Sequence, residues 1–343
     1  MKKNIMNWLN MLAVLLFCCL LGASQVEAGS ISGVVTESGA GTPIASLLVG
    51  VYSAEDESDL VATGRTDADG HYSVNDLSVD SFSYKVRFIT YGKNYLEEWY
   101  NNSPDFAGAG SIDLTSAVPD FTANAELAVG GTITGTVTYS PGPPTGPVYV
   151  QAYVQDALEW VASAVVNSDG GYSLIGLPAG GYDVFFWAYE AGYVSKWYSG
   201  VPTQATATPV VVVQGDVESG INIQLEQGAQ ISGRVTDADG GIAGAMVEAY
   251  DNTGYYILRG IAITDTNGDY TIAGLPVGAS LRVRFFESEG NGNGSGMTEW
   301  YNDKSNFESA NPVTAGDPSS IDALLEPNDI VNLIPIYMLL GLL

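Results

Sequence analysis

The stretch TDADGHY, residues 66 to 72, places two aspartates, a glycine and an aromatic within the length of a turn, which is the chemistry of half a calcium loop. It returns as VNSDGGY at 166 to 172 and as TDTNGDY at 264 to 270. A full loop of that kind needs oxygen ligands at its first, third and fifth positions and a bidentate glutamate at its twelfth, and none of the three copies has that set. Asp265, Asn267 and Asp269 come nearest and form a calcium candidate. The other reading is a plain reversal of the chain. Asp67 or Asp69 can accept a hydrogen bond from the backbone two residues on, and Gly70 can supply a positive φ, so hairpin chemistry accounts for the same residue types. The turn is the expected role; no cofactor is expected, with calcium at the third copy as the alternative.

Catalysis has little to work with. The chain holds one histidine, His71, beside the first of these turns, so neither a Ser-His-Asp triad nor a histidine-based zinc site can be assembled. His71 is expected to start a strand. The pair Glu97-Glu98 could do acid–base work on a glycoside, but the second copy has Ser195-Lys196 at that place. The chain is therefore expected not to be an enzyme.

Binding chemistry is better represented. Trp-Tyr pairs stand at Trp99-Tyr100, Trp197-Tyr198 and Trp300-Tyr301. Such rings can stack on sugars, or they can plug the open end of a β-sandwich; recurrence in all copies favours the plug. In the strand before each pair, alternation puts Lys85 and Arg87 outward in the first copy and Arg282 and Arg284 in the third. The second copy has Asp183 and Phe185 there, followed by Trp187 and Tyr189. The four cations are expected to make cross-strand ion pairs. Phe185, Trp187, Tyr189, Trp99, Trp197 and Trp300 are the ligand candidates, with cover by a neighbouring domain or loop as the competing explanation of the stripe in the second copy.

These residues must be positioned by strands. ISGVVT at 31, ITGTVT at 133 and ISGRVT at 231 each open a unit that runs through the turn, a leucine, a strand, the Trp-Tyr pair and an acidic alternating end. In 84 to 89, Tyr84, Val86 and Phe88 fall on one face and Lys85, Arg87 and Ile89 on the other, the period of a strand. With 41 glycines and 15 prolines spread between short runs of Val, Ile, Thr and Tyr, the pattern is all-β. The expectation is three tandem Ig-like (prealbumin-like) β-sandwich domains at 29–128, 129–227 and 228–327.

The ends read differently. Residues 1–28 combine a basic start, an apolar core and a small-residue cleavage site, a secretory signal peptide that takes both cysteines, Cys18 and Cys19, with it. A secreted, periplasmic or cell-surface location follows, with no membrane span after cleavage. The tail 328–343 ends in an apolar run that would reach only about 21 Å as a helix and is interrupted by Pro335, so a packing strand is favoured over an anchor. A net charge of −27 argues against nucleic acid or anionic lipid as partners and favours a self-repelling monomer.

The order GxVT, turn, Leu, strand and Trp-Tyr, across nearly all of residues 30 to 326, resembles bacterial carboxypeptidase regulatory-like domain repeats. These are related in fold to transthyretin, collagen-adhesin B-type repeats and starch-binding-like modules. The resemblance implies a β-sandwich and leaves function open between a non-catalytic structural or adhesive surface protein, a carbohydrate-binding module, and an accessory domain of a surface enzyme complex. Partners would be a polysaccharide or another surface protein. Adhesin repeats of this kind often carry a Lys–Asn/Asp cross-link from a first-strand lysine; no first strand here has one, so no such bond is expected.

Overall fold

The structure is a computed structural model that describes residues 28–253, 257–287 and 298–325. The expected cleavage segment before Ala28 and the tail 328–343 lie outside the described residues. The described residues are all-β, with only two single-turn 3₁₀ segments, Tyr189–Ala191 and Gln204–Thr206. None of the helices among them is long and apolar enough to cross a membrane.

The chain divides into two compact units, one ending at Val129 and the other beginning at Gly130. In the first, the strand Ala28–Glu37 pairs antiparallel with His71–Ser78 and parallel with Asp120–Thr122 and Ala125–Leu127. A second sheet runs in the order Leu60–Arg65, Leu48–Ser53, Tyr84–Ile89, Glu98–Trp99. Between the sheets lies a core that includes Ile31, Val49, Tyr84, Val86, Phe88 and Leu127. The alternation is as the sequence requires: Tyr84, Val86 and Phe88 are wholly buried.

The second unit carries the other two repeats. Gly131–Ser140 pairs with Gly171–Leu177, Val217–Glu218 and Ile223–Glu226, facing a sheet ordered Trp160–Val165, Tyr149–Val154, Gly180–Trp187, Lys196–Trp197, with Val210–Val212 also on Gly180–Trp187. Ala229–Thr236 pairs with Asp269–Leu275 and Ala323–Leu324, facing Leu258–Ile263, Met246–Asp251, Ser280–Phe286, Thr298–Trp300, with Val313–Thr314 on Ser280–Phe286. Each set encloses its own cluster of buried side chains. The expected boundary at 227/228 therefore falls inside one compact unit.

Two residues of the repeat signature have a common cause. A Cβ on Gly33, Gly135 or Gly233 would lie 2.1–2.2 Å from the carbonyl oxygen of Ala123, Ile221 or Ile321, closer than any side chain allows. The glycine lets the returning C-terminal segment cross the first strand at backbone contact. The same carbonyls accept hydrogen bonds from the hydroxyls of Tyr72, Tyr172 and Tyr270, at 2.7, 2.7 and 2.6 Å. The tyrosine that closes each turn motif is thus the latch that holds the last segment onto the first strand.

Candidate binding face

The turn motifs are built from their own backbone. Asp67 Oδ1 accepts from the amides of Asp69 and His71 at 2.9 and 2.8 Å, and Asp265 Oδ1 from those of Asn267 and Asp269 at 2.8 and 3.0 Å. In the second copy Asp169 Oδ1 accepts from the Gly171 amide at 3.0 Å. Gly70, Gly170 and Gly268 take φ of 79°, 86° and 84°. At the calcium candidate the Asn267 carbonyl accepts from Arg234 Nε at 2.7 Å, and the same nitrogen lies 3.9 Å from Asp269. Two of the oxygens there, Asp265 Oδ1 and the Asn267 carbonyl, already accept from amides and from a guanidinium. Among the described residues no group of three or more His, Cys, Asp or Glu is arranged to hold a metal ion. His71 is the exposed first residue of its strand.

The Trp-Tyr pairs organise a different region, the outer face of the second sheet in each repeat. Directly after each pair come two successive residues in the left-handed region: Asn101 and Asn102, Ser199 and Gly200, Asn302 and Asp303. Two positive φ values in a row are what a type I′ reversal demands. The chain folds back so that the Trp99, Trp197 and Trp300 amides donate to the carbonyls of Ser103, Val201 and Lys304 at 2.8, 2.9 and 2.8 Å. The segment that follows lies over the sheet as a lid.

In the first repeat Trp99 is 3% exposed, with Tyr52 at 5.1 Å and Phe106 edge-on at 5.2 Å between ring centroids. In the third, Trp300 has Tyr250 at 5.6 Å and Phe307 edge-on at 5.3 Å. These are small satellite cores, so the tryptophans plug rather than present themselves. Lys85, read as outward, is buried: its ammonium lies 4.0 Å from the Phe106 ring centre and donates to the Phe106 carbonyl at 2.6 Å. Arg282 likewise binds the carbonyls of Phe307 and Ala310 and donates to Asn252 Oδ1. The ion-pair expectation is thus corrected for these two cations, which fasten the lid through its carbonyl oxygens. It holds for Arg87, paired with Glu97, and for Arg284, paired with Glu248 directly opposite on the neighbouring strand.

The second repeat solves the same problem with other residues. Asp183, also read as outward, is 2% exposed; its carboxylate accepts from Gln204 Nε2 at 2.9 Å and the Asp156 amide at 3.1 Å. Alternation had the face right but not the lid above it, so the side chain is covered. Phe185 packs on Trp197 at 4.8 Å, taking the place of Arg87 and Arg284, and Trp197 packs on Tyr153 at 5.4 Å. Trp187 and Tyr189 lie 5.3 Å apart at the far end of the strand, and all four candidates of this repeat are half-buried. The structure therefore brings Phe185 and Trp197 together, sets Trp187 and Tyr189 apart from them, and leaves Trp99 and Trp300 in separate repeats.

Sequence reasoning missed the lid residues Phe106, Phe307 and Gln204. The signal was available in the Asn-Asn, Ser-Gly and Asn-Asp dipeptides behind each Trp-Tyr pair, which mark a tight reversal. Trp160, 51% exposed opposite Tyr153, was also passed over.

Glu98, next to Trp99 in the strand but paired with Phe88 and so on the opposite side of the sheet, is pushed far from its ordinary range, up to about 7 by burial. Its folded value lies above its unfolded one, so its contribution to stability is complete below about pH 4.5 and is lost as the pH rises through 7. Allowing for partial solvent screening, the first unit should lose roughly 1–2 kcal/mol across that window. Glu98→Gln should flatten the dependence, measured as urea midpoints at pH 5 and pH 8; parallel profiles for the two proteins would remove Glu98 as its source.

No family model matches the chain and no curated relative does, so the regulatory-like label stays a resemblance. Among solved structures, the chain is similar to the Bacillus anthracis TIE protein at 12% identity and a TM-score of 0.24, over 87% of this chain and 50% of that one. It is similar to GBS52, the minor pilin of Streptococcus agalactiae, at 14% identity and a TM-score of 0.30, over 58% of this chain and 96% of that one. It is similar also to BcpA, the major pilin subunit of Bacillus cereus, at 13% identity and a TM-score of 0.21, over 88% and 100%. The chain thus spans half the length of the first of these. Resemblance of this order assigns no activity, ligand or assembly to the chain.

Proposed function

We propose that the chain is a non-catalytic structural or adhesive segment of a secreted or cell-surface protein, whose β-sandwich repeats serve as spacers. The observation that carries this reading is the closure of the Trp-bearing face by each repeat's own lid. The Trp99 and Trp300 rings, which could have stacked on a ligand, are spent on packing, and the Asp67 and Asp265 carboxylates on backbone amides. What remains outside is a strongly acidic surface, suited to staying soluble and apart from its copies.

Polysaccharide binding is a second reading, favoured by one feature. Trp160 is half-exposed on the edge strand of the second repeat, beside Tyr153 and the uncharged Gln151 and Ser163. A glycan array probed with the full chain separates the two. The spacer reading expects no retention; binding that is abolished by Trp160→Ala would replace it with the second.

A further inference from the structure

The fourth strand of every repeat contains one residue with left-handed backbone at the same register: Asp76 at φ 60°, Gly176 at 71° and Gly274 at 69°. Each lies one residue before the leucine that pairs with the start of the first strand, Leu77 with Gly29, Leu177 with Gly131 and Leu275 with Ala229. Aspartate is tolerated in this conformation at one of the three sites, and Asp76 is exposed.

Gly274 is not exposed to the same freedom. A Cβ built on it would lie 2.5 Å from the Tyr189 Cα, 2.8 Å from the Tyr189 carbonyl oxygen and 2.7 Å from that of Tyr193. The turn Tyr189–Ala191 of the second repeat is seated on bare backbone of the third. The chain between them has no slack. Glu226 ends one strand and Ala229 begins the next, and the two residues between are both tied, Gln227 N to the Ser140 carbonyl and Gly228 N to the Gly192 carbonyl, each at 2.9 Å. Val194 N also donates to the Glu226 carbonyl at 3.0 Å.

We infer that Gly274 is a docking site for the Tyr189–Ala191 turn, and that it locks the second and third repeats into one rigid body. The inference stands independently of the surface role proposed above. It also sets the third repeat against the backbone at the end of the aromatic stripe, through a contact that any side chain at 274 would block. Asp76 shows which replacement keeps the strand's own geometry.

The test uses the chain from Ala28 onward, which holds no cysteine, with spin labels at the exposed positions Ser173 and Thr271 after substitution by cysteine. A single narrow distance is expected, and a broad or divided distribution in this otherwise unaltered protein would overturn the lock. Gly274→Asp should broaden it and speed amide exchange at Val194 and Gly228 at least tenfold, with the Ile272 and Phe285 amides still protected. Gly278→Asp, at φ 73° with open space around its Cβ, should change neither. A narrow distance that persists in a folded Gly274→Asp protein would assign the rigidity to the short linker and not to this site.

Discussion

Trp99→Ala should destabilise the first unit by about 3–5 kcal/mol, the usual cost of truncating a packed aromatic to a methyl group. The side chain is 3% exposed and sits among Tyr52, Phe106 and the Arg87 guanidinium, whose carbon is 5.5 Å from its ring. Its loss removes the wall against which the lid closes, and Lys85 then holds a lid carbonyl over an empty space. Urea denaturation of the full chain measures the effect, since the first unit has its own core. Trp160→Ala, at 51% exposure, should cost under about 1 kcal/mol in the same experiment. A small loss for Trp99 would mean that the lid stands without its plug, and the ring would again need a ligand to explain it.

The contrast between these two tryptophans shows what was legible in the sequence. Strand alternation placed Tyr84, Val86 and Phe88 in the core because period two is imposed by the backbone itself. The turn at Asp67 was readable because one carboxylate and one glycine suffice to make it. Whether an outward residue meets water was not readable, since that depends on a lid with no periodicity of its own. Lys85 and Asp183 alternate outward correctly and are nonetheless buried beneath it. Glycines were a second blind spot. Gly33 and Gly274 look like punctuation in the sequence, yet each marks a place where another stretch of backbone comes within reach of where a Cβ would stand. Spacing along one chain does not carry that information, because the second backbone arrives from about 80 to 90 residues away.

The third repeat should respond most strongly at Arg284. Glu248 is 3% exposed, and its Oε2 accepts from Arg284 Nε at 2.9 Å, from Nη2 at 2.5 Å and from the Tyr250 hydroxyl at 2.6 Å. A carboxylate so placed has lost its water and depends on the guanidinium for compensation. Arg284→Met keeps an unbranched apolar side chain beside the Trp300 and Phe286 rings but removes the guanidinium that lies over them. The expected loss is about 3–5 kcal/mol, because an unpaired buried anion costs far more than the pair contributes. Glu248→Met should also destabilise, by leaving the arginine beneath the lid with only ring faces to meet. The double variant, with an apolar side chain on both strands, should recover most of the loss, and the measured coupling should exceed about 2 kcal/mol. Single losses that simply add in the double variant would show that the pair is held by its lid and neighbouring rings, with the charges incidental. Strong coupling would identify the cross-strand pair as what this repeat uses where the first uses Arg87 and a partner, Glu97, that is a third exposed to solvent.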